Sequence, residues 1–364
     1  MPQKTSAELA KREKQIADHF PARSVARRML ILSFLFIACF FVSFSIGRYG
    51  VPLLELVKIF VQKILDLLNI TFIHIGRTWT DEMERVAINI RLPRIIAAAL
   101  IGSALSTAGC VYQGMFKNPM VSPDVLGSSA GAGFGAALGI MLALGYAGTA
   151  ILSFLLGLAA VLCAMALASK FRESPILGMV LAGIMIGSLF QACTSYLKLV
   201  ADPTDQLPAI TYWLMGSLNN IRMSDVAILI PVMLVGFIPL FLLRWRLNVA
   251  TLGDEEAKAL GVNIKLLRCI VVFCATLLTS SSVAVSGMIG WVGLVIPHFA
   301  RQCVGCDYRK LLPATMLMGG AFLIVVDDIA RTLTTSEIPI GILTAFVGAP
   351  FFLYLFFSGK RRRA

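Results

Sequence analysis

Apolar residues in this chain come in blocks too long to be the buried faces of soluble helices. The run 29–47 (MLILSFLFIACFFVSFSIG) contains no Asp, Glu, Lys or Arg, and neither does 269–300. A helix needs about 20 apolar residues to cross roughly 30 Å of hydrocarbon at about 1.5 Å per residue. Blocks of this kind predict spans near 29–47, 93–114, 125–145, 149–169, 175–198, 225–243, 267–286, 289–305, 311–330 and 340–358. Their recurrence sets the class as an all-α integral membrane protein with about ten transmembrane helices.

Two stretches break the simple pattern. Residues 51–69 are apolar but include Glu55, Lys58, Lys63 and Asp66. Charges at the bilayer centre cost about 2.5–3.5 kcal/mol each on insertion scales, so this stretch reads as an amphipathic helix at the surface. The run 269–300 is too long for one span and short for two. Gly287, Gly290, Gly293 and Pro297 interrupt its second half, and Arg268 and Arg301 flank it. It therefore reads as an out-and-back pair with a broken return, tolerated only where the irregular backbone is buried in protein or lines a cavity.

Composition agrees with this class. Hydrophobic residues make up 58% of the 364 and charged ones 14%, against about 25% charged in soluble domains. The net charge of +12 raises nucleic acid as a partner. Ten spans with the N-terminus inside also place the C-terminus inside. Lys and Arg then concentrate on the inner side, in 1–28, 244–268, 301–310 and 360–363, while the two signs nearly balance outside. The positive-inside rule accounts for the basic balance, and no nucleic acid is implied. A polar N-terminus before a long apolar run, with no small-residue cleavage site behind it, predicts an uncleaved first span. The organisation is a basic cytoplasmic extension (1–28), a transmembrane domain (29–358) and a basic cytoplasmic tail (359–364). Most of the eight cysteines lie in apolar runs, where they act as small hydrophobes.

Motifs narrow the chemistry mainly by exclusion. There is no GxxxxGK[ST] phosphate loop and no HExxH zinc pair, so the chain binds no ATP by that route and has no such metal site. GSSAG at 127–131 matches a serine-nucleophile pattern around Ser129, with His74 and His298 as the only plausible bases. Small-residue helices produce such a match easily, and a membrane hydrolase is the weaker reading. Gly127, Gly131, Gly135 and Gly139 recur every fourth residue, a stripe that lets helix backbones approach. Cys303 and Cys306 form a CxxC beside His298, but no further ligands of zinc spacing follow.

Polar residues at span ends carry the remaining signal. Arg91 and Arg94 in RLPR share a helix face at an outer re-entry point, and Arg331 lies at the outer end of the ninth span. The plain reading is snorkelling to the interface. The other is docking of an acidic partner. Asp327 and Asp328 form the one acidic pair within a predicted span. They either pair with Arg331 or line a proton path, which would make the protein a proton-coupled secondary transporter. The insert LNVATLGDEEAKALGVNIKLLR predicts a short inner helix, with Thr251 as candidate cap, Asp254, Glu255 and Glu256 in its first turn and Gly261 at its end.

Six segments occur in the order seen in one family: RLPR (91–94), KNPMVSPDVLGSSAGA (117–132), YWLMGSL (212–218), LGDEEAKALGV (252–262), GMIGWVGLVIPHFAR (287–301) and DDIARTLTTSEIPIGILTAFVGAPFF (327–352). Through them the chain resembles the permease family of ABC importers for iron–siderophore complexes, haem and cobalamin, the BtuC-like type II permeases. The resemblance covers about 29–358 and implies a dimer, presumed homodimeric, with the path between subunits. It also implies two cytoplasmic ATPase subunits carrying ATP and Mg, an external solute-binding protein, and an inner-membrane location. No cofactor is implied for this chain. Carried over residue by residue, it assigns binding-protein docking to Arg91, Arg94 and Arg331. It assigns ATPase coupling to Leu252, Gly253, Glu255, Glu256, Ala257, Leu260 and Gly261, and a gate to Ser174 and Pro175. Ferric siderophore is the commonest cargo implied, with cobalamin, haem and molybdate as alternatives. The first 28 residues have no counterpart in the family.

Overall fold

The computed structural model describes residues 22–67, 76–171 and 175–361, and among them there are helices and no strand. The first span is α1 (Ala22–Ser43) and the amphipathic stretch is α2 (Leu53–Leu67). A single turn, α3 (Asp81–Arg85), leads through a π turn at Val86–Arg91 into α4 (Leu92–Met115). Then come α5 (Ser128–Met141), α6 (Gly145–Ala168), α7 (Pro175–Val200), the short α8 (Gln206–Met215) and α9 (Met223–Leu242). The polar insert forms α10 (Arg244–Leu252) and α11 (Asp254–Ala259). The chain ends with α12 (Ile264–Ser286), α13 (Val292–Val304), α14 (Tyr308–Thr332) and α15 (Ile340–Arg361).

Each expected span has a helix within a few residues of its place. Among the described residues seven are long and apolar enough to cross a membrane, and the shorter α5 and α13, together with α15, occupy the remaining positions. The 269–300 run is a full-length helix, α12, a non-helical apex at 287–291, and the 13-residue return α13. Gly287 turns the apex with φ +69°, a conformation that costs glycine little. The extension 1–28 falls mostly outside the described residues, though α1 begins at Ala22, ahead of the apolar run.

The centre is α4. Its sequence is rich in small residues, and Ala97, Ala98, Ala104 and Ala108 are fully buried. Small side chains let α12, α13 and α14 close around it. The periphery is different. Leu30, Phe34 and Phe41 of α1 are exposed, as expected of a helix whose outward face meets lipid tails. On α2, Leu56 and Ile59 are buried while Glu55 and Lys58 pair at 3.0 Å and Lys63 reaches Glu84 at 2.6 Å. The Thr78 hydroxyl and Lys58 hold the Glu55 carboxyl below its ordinary range. A lowered carboxyl contributes stability above its unfolded pKa and loses it as pH falls through the folded one. The protection of α2 amides, relative to their intrinsic exchange rates, is therefore expected to fall below about pH 4; protection unchanged there would contradict the clamp.

Candidate functional site

The polar insert at 244–262 presents a small platform. Asn248 of α10 donates to Asp307 at 2.6 Å and accepts from Tyr308 N–H at 2.8 Å, tying the insert to the start of α14. Asp254 accepts two bonds from Arg268 Nη2, both 2.8 Å, tying α11 to α12. Thr251 is not the cap expected of it. It lies within α10, donating to Asn248 O, and Gly253 occupies the cap position. Gly261 ends the helix as the sequence suggests. It has φ +77°, its N–H reaches Lys258 O, and Val262 N–H reaches Ala257 O. This is the paired closure that satisfies terminal carbonyls, with buried Val262 against buried Ala257 as its apolar contact. Leu252, Glu255, Glu256 and Leu260 remain exposed. Replacing Gly261 with Val forces a branched side chain into a left-handed position at about 1–2 kcal/mol. The expected result is faster exchange of α11 amides with the rest of the fold unchanged, and equal exchange would contradict this cap.

At the opposite end the three arginines sit within the protein, not on it. Arg91, Arg94 and Arg331 are 3%, 5% and 6% exposed. Arg91 donates to the carbonyls of Phe44 and Tyr49. Arg94 grips Asp327 through Nε and Nη2 at 2.9–3.0 Å and reaches Glu337 at 3.1 Å. Arg331 bonds Asp328, Ser43 O at 2.7 Å and Ser43 Oγ at 2.8 Å. The cluster ties α1, α4, α14 and the 333–339 connection together. Neither acid is left alone as a proton carrier would be. An outside carboxylate could meet these guanidiniums directly only by displacing an existing partner.

The glycine stripe divides. A Cβ on Gly131 or Gly135 would lie 2.5 Å from Leu156 O or Leu152 O, and on Gly139 2.8 Å from Thr149 Cα, so these three seat α5 against α6. Gly127 is not in the helix. It caps α5 with φ +80° and faces Gly183 and Gly187 of α7. Ser174 and His74 lie outside the described residues, and Pro175 begins α7. Among the described residues no three His, Cys, Asp or Glu side chains gather as for a metal, and Cys303 and Cys306 are free thiols.

Between the two ends lies a cavity of about 450 Å³. One wall is the connection 116–127, which precedes α5; the other is the 287–291 apex, which precedes α13. Gln113 of α4 bridges them, donating at 3.3 Å to Val121, Gly293 and Leu294 carbonyls. Asp124 and Ser129 line this cavity and no histidine does, so the hydrolase reading has no base at its serine. Asp124 lies in the segment 117–132 without a role assigned from sequence, and Gln113 lies unmarked within the second span. A lone carboxylate in a connection otherwise poor in charge was the available signal.

Comparisons with known proteins agree with this architecture. The profile of the FecCD transport family matches residues 35–358. The molybdate import system permease protein MolB of Haemophilus influenzae is 37% identical over 331 residues, covering 91% of this chain and 95% of that protein. A Helicobacter pylori protein named "Probable iron chelatin transport system permease protein" is 40% identical over 280 residues, 77% of this chain and 85% of that one. A solved structure, an inward-facing ABC transporter assigned to the metal-chelate type, superposes with a TM-score of 0.79 at 35% identity, covering 92% of this chain and 99% of that one. An apolar helical bundle with a polar platform at one end, matched along nearly its whole length, belongs to the FecCD transport family, the transmembrane permeases of ABC importers.

Proposed function

We propose that the chain carries a metal chelate, a ferric siderophore, across the inner membrane as one half of a homodimeric permease. Two separate ATPase subunits, each holding ATP and Mg, drive it from the cytoplasm. An external solute-binding protein delivers the cargo. Both termini face the cytoplasm, which follows from the distribution of Lys and Arg. The observation that carries this reading is the inner platform. An isolated six-residue helix has little stability of its own, yet α11 is anchored by Arg268 and by its cap, with Leu252 and Leu260 left exposed. That is the form of a projection made for a partner's cleft. Gly253, Glu255, Glu256, Ala257 and Gly261 set its start, its charge and its stop.

The external protein docks at the end organised by Arg91, Arg94 and Arg331. Their share in docking is to hold the 44–49 and 333–337 segments that form the face. Ser174 and Pro175 act at the inner gate. Molybdate is the second cargo reading, favoured by the length and identity of the MolB match.

Uptake by the reconstituted permease and ATPase is expected to stop when ATP is withdrawn; uptake that continues would sink this reading. Leu252→Asp with Leu260→Asp is expected to weaken ATPase association about thirtyfold, the scale of a lost hot spot. Both side chains are exposed, so the thermal midpoint of the permease alone stays put. Unaltered association would remove α11 from the contact.

A further inference from the structure

We infer that the central cavity is a cargo-contact site and that Asp124 within it selects for uncharged or cationic chelates bearing hydrogen-bond donors, against anionic chelates and free oxyanions. The inference deepens the importer reading and rests on it. Its basis is what lines the space. Met120, Met288, Trp291 and Phe352 form an apolar and aromatic wall, with the two rings 6.5 Å apart. Ser122, Asp124, Ser129 and Thr279 are its polar part, Asp124 is its one charged residue, and no Lys, Arg or His contributes. At about 450 Å³ it is a small-molecule pocket by size, within the usual range of about 300–1,000 Å³. It suits one face of a larger chelate.

The placement of Asp124 decides the sign. Ser129, in the first turn of α5, lines the cavity, and a helix start attracts anions. Here the position is already taken. Asp124 Oδ1 accepts the Ser129 N–H at 2.8 Å. The side chain is nonetheless exposed to the cavity. A molybdate ion would find the favourable end of the helix filled by a fixed carboxylate with no cation within the lining to offset it. A ferric trihydroxamate, neutral overall, can lay its apolar body on Trp291 and Phe352 and offer amide donors to Asp124. A ferric tris-catecholate, which is strongly anionic, meets the same repulsion as molybdate.

The test uses the full permease reconstituted with its ATPase subunit in lipid nanodiscs. Equilibrium binding of radiolabelled ferric trihydroxamate, ferric tris-catecholate and molybdate is measured with no external binding protein present. The wild-type complex is expected to prefer the trihydroxamate by about tenfold or more, since like charges a few ångströms apart in this setting repel strongly. Asp124→Asn keeps an acceptor for the Ser129 N–H and removes the charge. It is expected to bring the two anions within about threefold of the trihydroxamate, with no shift in thermal midpoint. Asp124→Lys is expected to reverse the order. Discrimination unchanged in both variants, a wild-type preference for either anion, or no binding of any of the three overturns the proposal. The importer reading is judged separately, by ATP-dependent uptake in the same preparation with the binding protein added. That uptake can succeed while the cavity assignment fails.

Discussion

Replacing Asp327 with Ala is expected to lower the stability of the folded permease by about 3 kcal/mol, the low end for breaking a buried ion pair. The low end applies because Arg94 keeps one partner. Its Nη1 lies 3.0 Å from Glu337 Oε2, on a side chain 22% exposed. The lost partner is the better one: Asp327 is 1% exposed and takes both Nε and Nη2 of the guanidinium. Arg331 keeps Asp328 but loses a second carboxylate, whose Oδ2 lies 3.9 Å from its Nε. Two buried cations are then left facing one fewer anion, which costs more than the pair itself contributed. The double variant Arg94→Met with Asp327→Leu removes charge of both signs and is expected to recover most of the loss. Thermal unfolding in detergent, followed by reaction of the buried Cys110 and Cys274 thiols, reports both. If the single and double variants unfold at the same temperature, the pair is not what ties α4 to α14.

The arginine–aspartate cluster depends on contacts that no local stretch of sequence encodes. RLPR and the Asp327–Asp328 pair were visible as charges at span ends, but whether they faced outward or each other was not. Nothing in the sequence places residue 94 beside residue 327. That contact depends on α4 and α14 packing side by side, which follows from facing glycines such as Gly102 and Gly319. The spans themselves were legible because hydropathy is a local property, and each needs only its own residues to be recognised. The short α8 escaped notice. Its ten residues, QLPAITYWLM, are too few to cross a membrane and carry no cap. Its end was marked only by Gly216, whose φ of +76° lets its carbonyl accept from Ile340 N–H. Thr251 misled for a related reason. A threonine three residues before an acid is a good cap signal, but α10 continues through it and the chain breaks at Gly253 instead. Asp124 was legible as a residue type and illegible as a site, since its exposure is to a space made by two connections far apart in sequence.

Gly109→Val should disrupt the fold more than any loss of a surface group, because the atoms in the way are backbone. A Cβ at Gly109 would fall well inside contact distance of the Gly293 carbonyl, and one at Gly293 inside that of Pro123 and of Leu105 O. A flexible side chain could swing aside, but here α13 as a whole must retreat from α4. Overpacking a core costs about 1–3 kcal/mol when side chains can adjust, and this site has none that can. The displaced helix would also lose the Gln113 bonds to Gly293 and Leu294, which hold the 287–291 apex against the 116–127 connection. The expected result is loss of the monodisperse permease peak on size-exclusion in detergent, with whatever protein survives failing to bind the ferric trihydroxamate. Gly50→Ala serves as the control, since nothing lies within 4 Å of the added methyl, and it should behave as wild type. Were Gly109→Val to purify and bind normally, α4 and α13 would have to be farther apart than their glycines allow. The cavity between the two broken segments would then lose its shared wall.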